Sequence, residues 1–326
     1  MIDRQGEERT YRIAGPRDQM GLFLRHRAAH SRNGASGRPV LYVHGATFPS
    51  ALSIAYRFKN GSWADALAEA GFDIWGLDFY GFGGSDHYPE MERPAEENPP
   101  LCGAADASEQ LLHAIRFILA HHQVPSLSLI AHSWGSMPTG IVAAHYPALI
   151  DRIVLFAPIT LRGPRRYERP PVFPAWRLVS VEDQWNRFVE DVPPGETPVL
   201  ARDEFDAWAS AYLQSDADSR TRTPPAVRTP LGPFSELIGA WHGDLPWDPG
   251  AVQAPVAIIR GEWDGLITDA DAGWLFNALA RSPDRRDIKI SRATHLMHLE
   301  VMREALWRES IAFLRAGSAV SVPAYR

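Results

Sequence analysis

Short apolar runs at residues 39–43, 72–77, 127–130, 153–156 and 256–259 constrain this chain most. Each is bounded by Gly, Pro or Asp, and each is apolar nearly throughout. Such runs read as strands buried on both faces, the pattern of a parallel sheet. Residues 288–290 are a shorter candidate. Segments of helical period lie between the runs. Residues 106–121 put Leu111, Leu112, Ile115, Ile118 and Leu119 on one stripe, as an amphipathic helix requires. Ser62 and Asp65 form a capping-box-like start for a helix ending near Gly71. A last helix is expected over 299–314, closed by Gly317. The alternation predicts an α/β fold: a mostly parallel central sheet flanked by helices.

The rhythm breaks after Phe156. Residues 160–249 hold Pro-rich stretches, short helical patterns and the tryptophans Trp176, Trp185, Trp208, Trp241 and Trp247, with no strand-like run of note. The strand pattern resumes at Pro255. The expected organisation is one α/β core, residues 1–159 and 250–326, interrupted by a mostly helical insertion, 160–249.

The chemistry centres on Ala131-His132-Ser133-Trp134-Gly135. A buried strand runs straight into a helix, and Ser133 stands at the junction. A turn that sharp needs small residues two before and two after the serine, and Ala131 and Gly135 supply them. The helix N-terminus favours negative charge beside the hydroxyl. Pro138 falls near the helix's first turn, where a missing N–H costs little. Ser136, one turn in, reads as a helix-start hydrogen-bonder.

These residues resemble the nucleophile elbow of the α/β-hydrolase family, with Ala131 where Gly is commoner. The resemblance runs along most of the core. Val43-His44-Gly45-Ala46-Thr47 is similar to the family's strand followed by His-Gly, and Asp78-Phe79-Tyr80-Gly81-Phe82-Gly83-Gly84-Ser85 to its glycine-rich turn. Both read as structural, and His44 as a buried hydrogen-bonder. The resemblance implies that Ser133 is a nucleophile and that the backbone N–H groups of Ala46 and Trp134 form an oxyanion hole. It places the acid after the 256–259 strand, at Asp264 in Gly261-Glu262-Trp263-Asp264, with Glu262 as runner-up. It places the base at His295, followed five residues on by Glu300, in preference to His298. Asp269 and Asp271 read as helix-capping carboxylates. Ser133, Asp264 and His295 stand in the chain order expected of the fold.

A serine hydroxyl is a weak nucleophile until a neutral imidazole takes its proton, and a carboxylate must hold that imidazole in the right tautomer. The implied activity is cleavage of a carboxylic ester through an acyl-enzyme. Thioesterase, lactonase, amidase or iminopeptidase, and carbon–carbon hydrolase are the alternatives on the same triad. A ligand-binding protein that has lost catalysis is the rival from another class.

Thr47, Trp176, Trp185 and Trp208 are the candidate substrate contacts. An apolar, uncharged ester of modest size is the expected substrate. Arg162, Arg165, Arg166, Arg169 and Arg177 in the insertion would suit a carboxylate-bearing one instead. No cofactor is expected, because no Gly-x-Gly-x-x-Gly opens the first strand–helix turn. No metal is expected either: the twelve histidines contain no HExxH pattern, and the single cysteine, Cys102, rules out a Cys-rich site. The net charge of −6 argues against nucleic acid or an anionic membrane as the main partner. The first residues lack the apolar core of a signal peptide, and no run approaches the ~18 residues of a membrane span. A cytoplasmic location is the expectation.

Overall fold

The computed structural model describes residues 8–30, 37–163 and 171–316. Eight strands form one sheet. Strands β1 (Arg9–Ala14) and β2 (Gly21–Arg27) are followed by β3 (Arg38–Val43) and helix α1 (Trp63–Glu69). Next come β4 (Phe72–Asp78), α2 (Ala104–His122), β5 (Leu127–His132), α3 (Ser136–His145) and β6 (Ile150–Phe156). The segment that follows contains β7 (Trp176–Ser180), α4 (Val181–Val189), α5 (Arg202–Gln214), β8 (Ala226–Pro230) and α6 (Gly232–Trp241). The chain returns to the sheet with β9 (Val256–Gly261), α7 (Asp269–Ala278), β10 (Arg285–Ile290) and α8 (Arg303–Arg315).

The strand order is β1-β2-β4-β3-β5-β6-β9-β10. From β4 to β10 all neighbours are parallel, while β2 pairs antiparallel with both β1 and β4. Every residue of β4 and β5 is buried, as helix-covered parallel strands require. The first pair escapes a reading based on apolar runs. Strand β1 alternates between exposed and half-buried residues, and in β2 Leu22 and Leu24 point inward between Phe23 and Arg25.

Local signals set the helix starts. Ser62 and Asp65 close a full capping box on α1, as do Thr268 and Asp271 on α7. The last helix begins at Arg303, later than expected, because a short turn at Met297–Leu299 precedes it. Gly317 lies outside the described residues.

The segment between β6 and β9 is less helical than expected. Its strands β7 and β8 pair antiparallel as a separate ribbon. Trp208 stacks on Tyr212 and packs against Phe188 and Phe205 in a second buried cluster. Phe48, Leu52, Leu296 and Leu299 enter that cluster from the sheet side and join the insertion to the core. Helix α6 joins the main core instead, through Leu237 and Ala240. Among the described residues, no helix is long and apolar enough to cross a membrane.

Candidate active site

Strand β5 ends at His132, and the chain turns through Ser133–Gly135 into α3. Ser133 adopts φ +54°, the left-handed region that side-chain-bearing residues rarely occupy. Tight neighbours hold it there. A Cβ on Gly135 would lie 2.5 Å from the His44 carbonyl oxygen, and one on Gly45 would lie 3.2 Å from Ser133 Cβ. Ala131 sits between Val43 and Leu155 in the sheet register. Small residues are therefore required on both sides of the turn.

Two loops bring the partners of Ser133. The loop after β9 carries Asp264 and the loop after β10 carries His295. They are strapped together by backbone hydrogen bonds: Glu262 N–H to the Ile290 carbonyl at 2.8 Å, and Trp263 N–H to the Ala293 carbonyl at 2.9 Å. A Cβ on Gly261 would lie 2.1 Å from the Ala293 oxygen, so only glycine permits that crossing. His295 Nδ1 lies 3.0 and 3.1 Å from the two Asp264 carboxylate oxygens, and Nε2 lies 2.8 Å from Ser133 Oγ. With the proton on Nδ1, the ring donates to Asp264 and accepts from the serine hydroxyl. All three residues are buried, at 5% exposure or less.

The supports are also polar. Asp264 accepts the Leu266 N–H at 2.9 Å. Glu300 is fully buried and accepts both the backbone N–H and the hydroxyl of Thr294, which fixes the residue before His295. Burial pushes the Glu300 carboxyl up to about 7. Glu262, in contrast, is exposed and accepts only the Arg292 N–H at 3.0 Å. His298 is buried against Phe48, Phe156 and His132, its two ring nitrogens without hydrogen-bond partners. Burial lowers its imidazole to about 3.

His44 accepts the Phe79 N–H at Nε2 (3.1 Å) and donates from Nδ1 to the Gly45 carbonyl (2.7 Å). Burial holds it below the ordinary imidazole value. In the glycine-rich turn, Asp78 accepts the Ser50 N–H and hydroxyl and the Gly84 N–H. Both segments thus shape the loop that presents Ala46. Ala46, Thr47 and Ser133 share one cavity wall. The Trp134 N–H belongs to the first turn of the helix, where backbone donors have no intrahelical acceptor. Trp134 is itself fully buried, and its indole N–H donates to Glu236 at 2.7 Å. Glu236 also accepts the Ala104 N–H at the start of α2, tying α6 to the core.

Ser133 opens into a cavity of about 280 Å³. Its walls include Leu237, Ile238, Trp241, Phe234 and Leu266, together with Thr47, Arg177, Arg187, Glu190 and Thr229. Of the expected substrate contacts, Thr47 is brought to this cavity and three tryptophans are not. Trp208 is fully buried in the second cluster and donates to the Leu52 carbonyl. Trp176 donates to the Arg93 carbonyl and stacks under Arg228. Trp185 lines a different hollow of about 400 Å³, with Arg202, Pro224 and Pro225, that contains no member of the triad. These aromatic rings consolidate the insertion; Trp241 is the one that faces Ser133. Arg177 is the one expected arginine that reaches the cavity. Arg162 pairs with Asp271, and Arg165, Arg166 and Arg169 lie outside the described residues. Arg187 was not singled out from sequence. Its signal was present, since Gln184, Arg187 and Phe188 follow the i, i+3, i+4 spacing of the inward face of α4.

Among the described residues, one group of potential metal ligands, His26, Asp73 and His122, lies on β2, β4 and α2 and not at Ser133. His26 Nε2 is bonded to Asp73 at 3.1 Å, and the Trp75 indole N–H occupies His122 Nε2 at 2.9 Å.

Comparison with known proteins agrees with the fold. The family model for the alpha/beta hydrolase fold matches residues 38–300. A search of curated proteins finds no match. Among solved structures, a serine hydrolase from the polyaromatic-hydrocarbon-degrading bacterium Cycloclasticus zankles is similar, with TM-score 0.62 and 16% identity over 94% of this chain and 98% of that one. An epoxide hydrolase from Vigna radiata gives TM-score 0.60 and 15% identity over 96% and 99%. A thermophilic esterase from Thermogutta terrifontis gives 0.58 and 16% over 94% and 98%. At these identities the likeness is one of fold. With the family model spanning most of its length and the sheet order to match, the chain belongs to the α/β-hydrolase fold family.

Proposed function

We propose that this protein is a serine hydrolase that cleaves a carboxylic ester through an acyl-enzyme. The observation that carries the reading is the unbroken hydrogen-bond chain Asp264–His295–Ser133, which ends at a hydroxyl facing a closed-in cavity. In this reading His295 Nε2 takes the Ser133 proton as Oγ attacks the ester carbonyl. The negative oxygen of the tetrahedral intermediate is held by the Ala46 and Trp134 N–H groups, each worth roughly 3–4 kcal/mol in such sites. The imidazolium, stabilised by Asp264, then protonates the departing alcohol. Water, deprotonated by His295, hydrolyses the acyl-serine and regenerates the hydroxyl. The triad, the oxyanion donors and the substrate all belong to the chain or the solvent, so no cofactor enters the scheme. The serine hydrolase and esterase among the similar folds are consistent with it, while the epoxide hydrolase is a reminder that the fold hosts several chemistries.

A hydrolysis screen across esters, thioesters, lactones and amides tests this reading, with Ser133→Ala as control. Ester turnover that disappears in the variant is the expected result. Turnover of another class alone would move the assignment to that bond, and equal turnover by Ser133→Ala would reject the serine mechanism.

A further inference from the structure

Among the described arginines of the insertion, the exposed Arg220 donates to the Ser210 carbonyl and hydroxyl, and the others fall into two groups. Arg162, Arg202, Arg222 and Arg228 each hold a carboxylate, with N···O distances of 2.6–2.9 Å. Arg177 and Arg187, the two that line the cavity at Ser133, form no ion pair among the described residues. Arg187 donates to the Thr47 hydroxyl at 2.5 Å and reaches the Gln184 side-chain oxygen at 3.5 Å, both neutral acceptors. It also lines the small hollow formed by Gly45, Ala46, His132 and Ser133. Arg177 lies over the Phe234 ring at 5.0 Å, and its Nε is buried without an acceptor. Glu190 shares the cavity wall but is exposed, and it pairs with neither.

A guanidinium stays charged at any working pH and carries five N–H donors. Burial lowers both groups; the charge of Glu190 offsets part of this at Arg187 and that of Asp183 part of it at Arg177, while the nearness of Arg177 lowers Arg187 further. Two like charges facing a half-closed cavity, with donors left over, are stabilised by an anion placed between them. The planar fork matches a carboxylate in two parallel hydrogen bonds. The remaining walls are apolar, and about 280 Å³ suits a short carbon skeleton.

We infer that Arg177 and Arg187 form an anion subsite, and that the ester cleaved at Ser133 carries a free carboxylate. This replaces the uncharged ester expected from sequence, and it rests on the serine-hydrolase reading only for the bond that is broken.

The test compares the mono-p-nitrophenyl ester of glutaric acid with its methyl-capped, uncharged counterpart. The kcat/KM ratio of acid to neutral ester should be about tenfold to hundredfold in the natural protein, the size expected of charge-assisted hydrogen bonds. Arg177→Gln and Arg187→Gln should each drive that ratio towards one, and Arg177→Lys should recover part of it. A ratio near or below one in the natural protein overturns the subsite and leaves the serine chemistry standing. An Arg187→Gln variant that loses both esters equally would also overturn it, since Arg187 would then serve the reacting carbonyl alone.

Binding keeps the inference testable if neither ester turns over. Calorimetry with glutarate on Ser133→Ala protein should show binding that Arg177→Gln weakens. Absence of binding, or binding indifferent to both arginines, contradicts it.

Discussion

The strand ends that carry the triad and the insertion that faces them are built on different principles. At the strand ends the backbone does the positioning. Gly135 and Gly261 sit so close to neighbouring main chain that no side chain fits, Gly45 packs tightly against His132 and Ser133, and Ser133 is held at a positive φ by that packing. The two loops behind it are joined carbonyl to N–H. In the insertion, side chains do the work. Phe188, Phe205, Trp208 and Tyr212 pack against one another, and Arg177 and Arg187 reach into the cavity from β7 and α4. The division separates two constructions: a backbone frame fixes Ser133, Asp264 and His295, and side chains of the insertion line the cavity in front of Ser133.

The triad residues are where this comparison predicts the largest effect. His295→Ala should lower kcat by about 10³-fold or more, and Asp264→Asn by orders of magnitude, because the imidazole would lose its partner or its tautomer. His298→Ala, three residues along, should cost less than about tenfold. Steady-state kinetics on one ester ranks the three. If His298→Ala were the most damaging, the base would be misassigned.

Trp208→Ala sharpens the other side. Removing a fully buried indole should destabilise the fold by about 3–5 kcal/mol. Trp185→Ala, at the edge of a surface hollow, should cost far less. Thermal denaturation measures both. Provided the variant is assayed below its Tm, a small ester should retain most of its kcat, since the frame around Ser133 is formed by the core. A large kcat loss at unchanged Tm would show that the insertion aligns the triad.

What could be read from sequence follows the same division. The central strands were legible because burial on both faces makes β4 and β5 mostly apolar. The elbow was legible because steric need leaves small residues, Ala131 and Gly135, two places before and after Ser133. The pair β1 and β2 was hidden: one face of β1 is exposed and one face of β2 only half-buried, so charged residues interrupt the apolar pattern. The ribbon of β7 and β8 was hidden too, being short and flanked by proline. The roles of the tryptophans depend on tertiary neighbours. The same residue type stacks in a cluster at Trp208, supports an arginine at Trp176 and faces the cavity at Trp241.

A smaller effect concerns pH. Burial keeps His298 neutral in the folded protein down to about pH 3, whereas in the unfolded chain it takes up a proton near 6.5. Below about 6.5 the unfolded state therefore binds more protons, and stability falls as pH drops towards 3. His298→Leu should flatten that decline, as followed by urea unfolding at pH 7, 6 and 5. Glu300 contributes with the opposite sign. Its carboxyl is raised to about 7, so the folded state holds a proton that the unfolded chain releases above about 4.5. Stability from this group falls as pH rises from about 4.5 to 7. A slope unchanged by His298→Leu would mean that this imidazole is charged in the folded state.

The central claim, that Ser133 is the activated nucleophile, is tested most directly by covalent labelling. Treated with an aryl phosphonate fluoride or a sulfonyl fluoride, the protein should gain the mass of one adduct, located at Ser133 by peptide mass spectrometry. Ser133→Ala should take up none, and His295→Ala should react far more slowly. Equal labelling of Ser133→Ala, or an adduct found at Ser136 instead, would contradict the account.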